Sequence, residues 1–95
     1  MMENKFDISM FVDVLTTEQA LCNLVNRFVQ RRKEMKITQR ELSKRTMVSY
    51  ASIRRFETTG EISLTSLLKL ADALDYLEDF EKLFKRKALT NLEEL

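Results

Sequence analysis

At 95 residues the chain has material for one domain with a modest core, and its 44% hydrophobic content places it among folded rather than disordered chains. One glycine and no proline leave little for the tight turns of a multi-stranded sheet, so a compact, all-α, five-helix domain is expected. With no histidine and a single cysteine, Cys22, the sequence excludes an internal disulfide and the usual imidazole-dependent catalysis, so no catalytic residue, metal or cofactor is expected and Cys22 reads as a packing residue.

Charge is nearly balanced overall, with 16 Lys and Arg against 15 Asp and Glu, but it is unevenly placed. From Arg27 to Arg55 there are ten basic residues against Glu34 and Glu41, a local charge of +8, whereas residues 1–26 and 56–84 are both acidic. A concentrated basic stretch in a neutral chain is the footprint of a surface that meets phosphate, because neutralising backbone charge and releasing counterions supplies most nucleic-acid affinity. A solvated basic face without a partner is the competing reading of charge alone. No apolar run approaches the roughly 18 residues of a membrane span and the acidic N-terminus lacks a secretory n-region, so no membrane association and a cytoplasmic location are expected.

Residues 1–15 mix apolar and polar types without a clean period and read as an N-terminal arm. The domain then runs over residues 16–84. Thr16 or Thr17 caps a first helix with Leu21, Leu24, Val25 and Phe28 on one face, running to about Met35 and ending in Arg31, Arg32 and Lys33, cations suited to the negative end of the helix dipole. Thr38-Gln39-Arg40-Glu41 is a capping-box sequence that starts a short second helix at Gln39, ending near Arg45 or Thr46. Ser49 caps a third, Tyr50 to about Glu57, with Ile53 and Phe56 inward, and residues 58–61 form a loop around Gly60. Ser63 or Leu64 opens a fourth helix with Leu64, Leu67, Leu68, Ala71 and Leu74 inward. Asp75 to Glu78 resembles another capping box, followed by a fifth helix carrying Leu77, Phe80, Leu83 and Phe84, and residues 85–95 form a tail with Leu89, Leu92 and Leu95 at three-residue spacing.

Around the motif at residues 38–57 the pattern is an aliphatic residue just before it at Ile37, then Thr38-Gln39, Leu42, a Met47-Val48-Ser49 turn, Ile53, Phe56 and Glu57. This resembles the helix-turn-helix of the Xre family of prokaryotic and phage regulators, which includes the lambda-type repressors and Cro, and the likeness extends over roughly residues 17–84. The segments around Thr59 to Leu74 and Leu77 to Phe84 are also similar to the small Hip-type members encoded beside kinase toxins. The resemblance implies a lambda-repressor-like domain that binds double-stranded DNA and regulates transcription, and in the Hip-type alternative an antitoxin that binds a kinase-like toxin and autoregulates its operon. Met47 departs from the family's usual glycine, and it is expected to accept a left-handed backbone while its side chain packs.

In a helix-turn-helix the second helix enters the major groove and the first crosses the backbone. Tyr50, Ala51, Ser52, Arg54 and Arg55 are therefore the candidates for base contact, with the arginines matched to guanine O6 and N7. Lys36, Gln39, Arg40, Lys44 and Ser49 are the candidates for phosphate, with Gln39 matching the glutamine that in this family braces the backbone or the recognition helix. Glu57 is expected to pair with an arginine of the first helix, because a carboxylate beside phosphate is unfavourable. One recognition helix covers only a few base pairs, so a homodimer on a palindromic operator is expected, acting as a repressor.

Overall fold

The computed structural model describes residues 14–87. Five helices follow in order, α1 (Thr17–Glu34), α2 (Gln39–Thr46), α3 (Tyr50–Thr59), α4 (Leu64–Ala73) and α5 (Leu77–Phe80), with no strand among the described residues. The starts of the first four are fixed by hydroxyl caps at Thr16, Thr38, Ser49 and Ser63, each accepting a hydrogen bond from a backbone amide of the first turn. Two are complete capping boxes: Gln19 returns to Thr16 on α1, and Glu41 returns to Thr38 on α2 with an N···O distance of 2.8 Å. The Glu41 carboxyl is held below its ordinary value, first by the Thr38 backbone amide, then by the Thr38 hydroxyl, with Arg45 and Lys44 adding to the effect.

The core forms where α1, α2, α3 and α4 converge. Leu42, Ile53, Phe56 and Leu70 are fully buried, one or two from each of α2, α3 and α4, and Val25 and Phe28 close the core from α1. Phe28 meets Phe56 edge-on, with ring centroids 5.1 Å apart and planes at 72°, the favourable arrangement for two aromatic quadrupoles. Ile37 and Val48, both in connections, are buried as well, so each short turn is anchored into the core by an apolar side chain. α2 packs on α3 and α4, α1 on α3, and α4 on α5.

With one glycine in the chain, most helix reversals use other residues. Lys36, Met47, Asp75 and Phe84 all take positive φ, and Gly60 does so after α3. A side chain at Gly60 is disfavoured by its φ of 83°, and a Cβ there also lies 2.8 Å from the exposed Leu21 side chain, which has to move aside to admit it. At Met47 (φ 66°, ψ 10°) the turn is held by hydroxyls instead. Thr46 Oγ1 donates to the Leu42 carbonyl at 2.8 Å and accepts from the Val48 amide at 3.2 Å, while Ser43 Oγ donates to the Val48 carbonyl at 2.6 Å.

The left-handed backbone expected at Met47 is present, but its side chain does not pack: it is 85% exposed. Nothing in the core compensates for the left-handed conformation, which costs an L residue roughly 1–2 kcal/mol. Met47→Gly is therefore expected to leave stability unchanged or raise it by up to about 1 kcal/mol, the relief being partly offset by the greater freedom of glycine in the unfolded chain. A thermal melt checks this, and a loss of several degrees contradicts it.

Other expectations need correction. α3 continues through Thr58 and Thr59, which lie in its last turn rather than in a loop, with Gly60 as its C-cap. α4 buries Leu70, Ala71 and Leu74 while Leu64 is 66% exposed, because Leu64 is the first helical residue and overhangs the core. Leu21, also read as inward, is 42% exposed at the edge of the α1 stripe. Asp75 does not cap α5: it takes φ 71°, the first helical residue is Leu77, and no side-chain cap bond forms. Without that cap α5 lasts four residues and passes into turns, leaving Leu83 and Phe84 exposed. The arm assigned to residues 1–15 and the tail assigned to 85–95 fall largely outside the described residues.

Candidate nucleic-acid interface

The site is built on a buried polar cluster that locks α2 and α3 to the end of α1. Arg32 on α1 is buried and forms a two-pronged ion pair with Glu57 on α3, Nε to Oε2 at 2.7 Å and Nη2 to Oε1 at 2.9 Å. Its remaining Nη1 donates to the Ile37 carbonyl at 3.0 Å in the α1–α2 connection. Gln39, the first residue of α2, donates from Nε2 to Glu57 Oε1 at 2.7 Å. One carboxylate is thus shared by two helices, and its guanidinium partner also holds the connection. The expected pairing of Glu57 with a helix-one arginine is present. The side-chain N–H bond of Gln39 serves as a brace, so its free contribution at the helix start is its backbone amide.

On this frame the N-terminus of α3 is presented to solvent. Ser49 accepts from the Ser52 amide at 3.0 Å and donates its hydroxyl proton to Ser52 Oγ at 2.8 Å, which fixes both serines at the helix mouth. With Ile53 and Phe56 buried, helical phase leaves Tyr50, Ala51, Arg54 and Thr58 along one outward stripe. Thr58 was missed as part of that stripe because the sequence pattern ended the helix at Glu57. Ser52 and Arg55 lie on the flank toward the α3–α4 connection, where they line a shallow pocket with Glu61 and Ser66.

The arginines divide by partner. Arg55 pairs with Glu61, an exposed contact on both sides. Arg54 makes no ion pair among the described residues, since Glu61 is taken by Arg55 and Glu57 by Arg32. Its guanidinium carbon lies 5.7 Å from the centre of the Tyr50 ring, and that of Arg40 on α2 lies 4.1 Å from it. The half-buried Tyr50 ring therefore joins a cation from each helix. Lys44 is exposed one turn along α2 from Arg40, and Lys36 is exposed in the connection just before the Thr38 cap. The result is a cationic surface spanning both helices, with the mouth of α3 at its centre.

A helix-turn-helix family profile matches residues 29–80, from the last turns of α1 through α5, more than half of the chain. The chain belongs to the helix-turn-helix family of the Xre and lambda-repressor type. This is a family of DNA-binding transcription regulators, and the all-helical architecture agrees with it. No curated protein and no solved structure matched the chain. Among the described residues no helix is long and apolar enough to cross a membrane. In helix-turn-helix domains the first helix of the pair crosses the DNA backbone and the second enters the major groove, and α2 and α3 hold those two positions in this chain.

Proposed function

We propose that this helix-turn-helix protein is a sequence-specific repressor that binds a palindromic operator as a homodimer. The observation that carries the reading is Arg54: a charged side chain, exposed and unpaired among the described residues, on the outward stripe of a helix whose entry and orientation are fixed by a buried ion pair. Tyr50, Ala51, Ser52, Arg54 and Arg55 read bases, and Lys36, Gln39, Arg40, Lys44 and Ser49 hold phosphates. Arg54 reaches guanine O6 and N7 in two-pronged fashion, and Ala51 offers a methyl contact to thymine. Arg55 must release Glu61 first, a small cost because an exposed ion pair contributes about 1 kcal/mol or less. Two recognition helices set about 34–36 Å apart meet successive major grooves on one side of B-DNA, so a dimer converts two weak half-sites into one tight site.

Phosphate contacts position the protein without reading sequence. Arg40→Ala and Lys44→Ala are each expected to weaken specific and random duplex alike, and to reduce the slope of log affinity against log salt by about 0.9 per lost contact. Fluorescence-anisotropy titrations across a salt series measure both. A salt-independent affinity, or a loss confined to the specific duplex, contradicts the assignment of α2 to the backbone.

A further inference from the structure

Arg40 of α2 and Arg54 of α3 come together at one side chain, the half-buried ring of Tyr50, with guanidinium carbons 4.1 and 5.7 Å from its centre. Neither arginine makes an ion pair among the described residues. From Arg27 to Glu61 the acids are Glu34, Glu41, Glu57 and Glu61, and each is engaged elsewhere. Glu34 meets Arg31, Glu41 closes the Thr38 capping box, Glu57 holds Arg32 and Gln39, and Glu61 holds Arg55. The partner left to Arg40 and Arg54 is an aromatic face.

A carboxylate holds an arginine by neutralising it and occupying its N–H groups. An aromatic ring attracts the cation through its quadrupole and carries no charge of its own, so the positive charge and the N–H donors stay available for a phosphate or a guanine edge. Two like charges gathered at an uncharged ring also repel each other, which an anion from outside relieves. Prior holding matters for affinity, because ordering a long exposed side chain on binding costs about 2- to 10-fold each.

We infer that Tyr50 is a positioning residue shared by the two helices, its ring holding Arg40 for phosphate and Arg54 for a base edge before DNA arrives. This role rests on the DNA reading above and adds to any base contact that Tyr50 makes itself. It ties the backbone contact of α2 to the sequence contact of α3, and binding to a duplex without a matched sequence isolates the Arg40 half of it.

NMR of the free full-length protein and DNA titrations test the two sides separately. In the free protein the Arg40 side-chain protons are expected upfield of those of the other exposed arginines, through the ring current of Tyr50, with the shift kept in Tyr50→Phe and lost in Tyr50→Leu. On a scrambled duplex Tyr50→Leu is expected to weaken binding by about 2- to 10-fold, Tyr50→Phe to bind as wild type, and Tyr50→Leu to cost nothing further in an Arg40→Ala background. On duplex enriched from a random pool by the wild-type protein, Tyr50→Leu combined with Arg54→Ala is expected to lose less than the product of the two separate effects. Tm is measured on every sample, and Tyr50→Met, also apolar without a ring, replaces Tyr50→Leu if the leucine variant is unfolded. Ordinary Arg40 shifts in the wild type, a Tyr50→Leu loss confined to the enriched duplex, or an undiminished loss in the Arg40→Ala background overturns the shared positioning role and leaves α3 as a reader of sequence. A wild type that binds both duplexes equally overturns the reading of sequence itself, and the Arg54 half of the role with it, while the ring shift and the Arg40 cycle stand.

Discussion

Arg32→Ala is expected to destabilise the domain by about 3–5 kcal/mol, the cost of leaving one partner of a buried ion pair without the other. Arg32 and Glu57 retain only 10% and 8% of their side-chain exposure, so solvent cannot replace the lost guanidinium. Glu57 then keeps a single neutral donor from Gln39, and the Ile37 carbonyl loses its bond from Arg32. The contrast is Arg55→Ala, which breaks an ion pair whose members are 67% and 62% exposed and is expected to change stability by no more than about 1 kcal/mol. Chemical denaturation of the two variants separates the cases. Equal, small losses contradict the buried cluster as the frame of the recognition helix. Arg32→Ala combined with Glu57→Ala is expected to lose less than the sum of the two single changes, because the second no longer strands a charge.

Ile53→Ala is expected to cost about 2–5 kcal/mol through the cavity it leaves. Ile53 has no exposure and sits among Leu42, Phe56 and Leu70, side chains of three helices that cannot all close in on the missing volume. The substitution acts on fold and binding together, since the residue beside it in sequence, Arg54, is carried on the same turn. Tm and DNA affinity are expected to fall in parallel. A stable Ile53→Ala variant contradicts the helical phase on which the whole site depends.

Local chemistry made the helix starts legible in sequence. Thr38 with Glu41, and the hydroxyls of Thr16, Ser49 and Ser63, are short-range signals that need no tertiary partner. The pairing of Glu57 with an α1 arginine was legible from chemistry, because a carboxylate on the helix expected to meet DNA needs a cation. Which arginine was not: Arg31, Arg32 and Lys33 all suit a helix C-terminus, and only packing selects Arg32 for burial. In α4, leucines at positions 64, 67, 68, 70 and 74 spread over an arc of about 160°, nearly half of the helix circumference, so periodicity alone does not fix which part of that arc faces inward, and Leu70 at its edge goes unselected. At α5 the apolar spacing of Leu77, Phe80, Leu83 and Phe84 imitated a longer helix, but a positive-φ Asp75 removed the cap that such a helix needs. The Tyr50 contact with Arg40 joins separate helices, and no spacing rule within one helix reveals it.

The same frame explains how a chain with one glycine builds this turn. Hydroxyls of Ser43 and Thr46 do locally what a glycine does by lacking a side chain, holding Met47 left-handed so that Val48 reaches the core and Ser49 meets the start of α3.

If α3 reads DNA sequence, Arg54→Ala removes one of its base contacts while leaving the fold intact. Duplex enriched from a random pool by the wild-type protein is titrated against wild type and variant, beside a scrambled duplex, with Tm measured on the same samples. The expected result is a loss of about 1–3 kcal/mol on the enriched duplex, little change on the scrambled one, and an unchanged Tm, because only a base-edge contact is removed. Wild-type affinity of Arg54→Ala for the enriched duplex, or an equal loss on both duplexes, contradicts Arg54 as a reader of sequence.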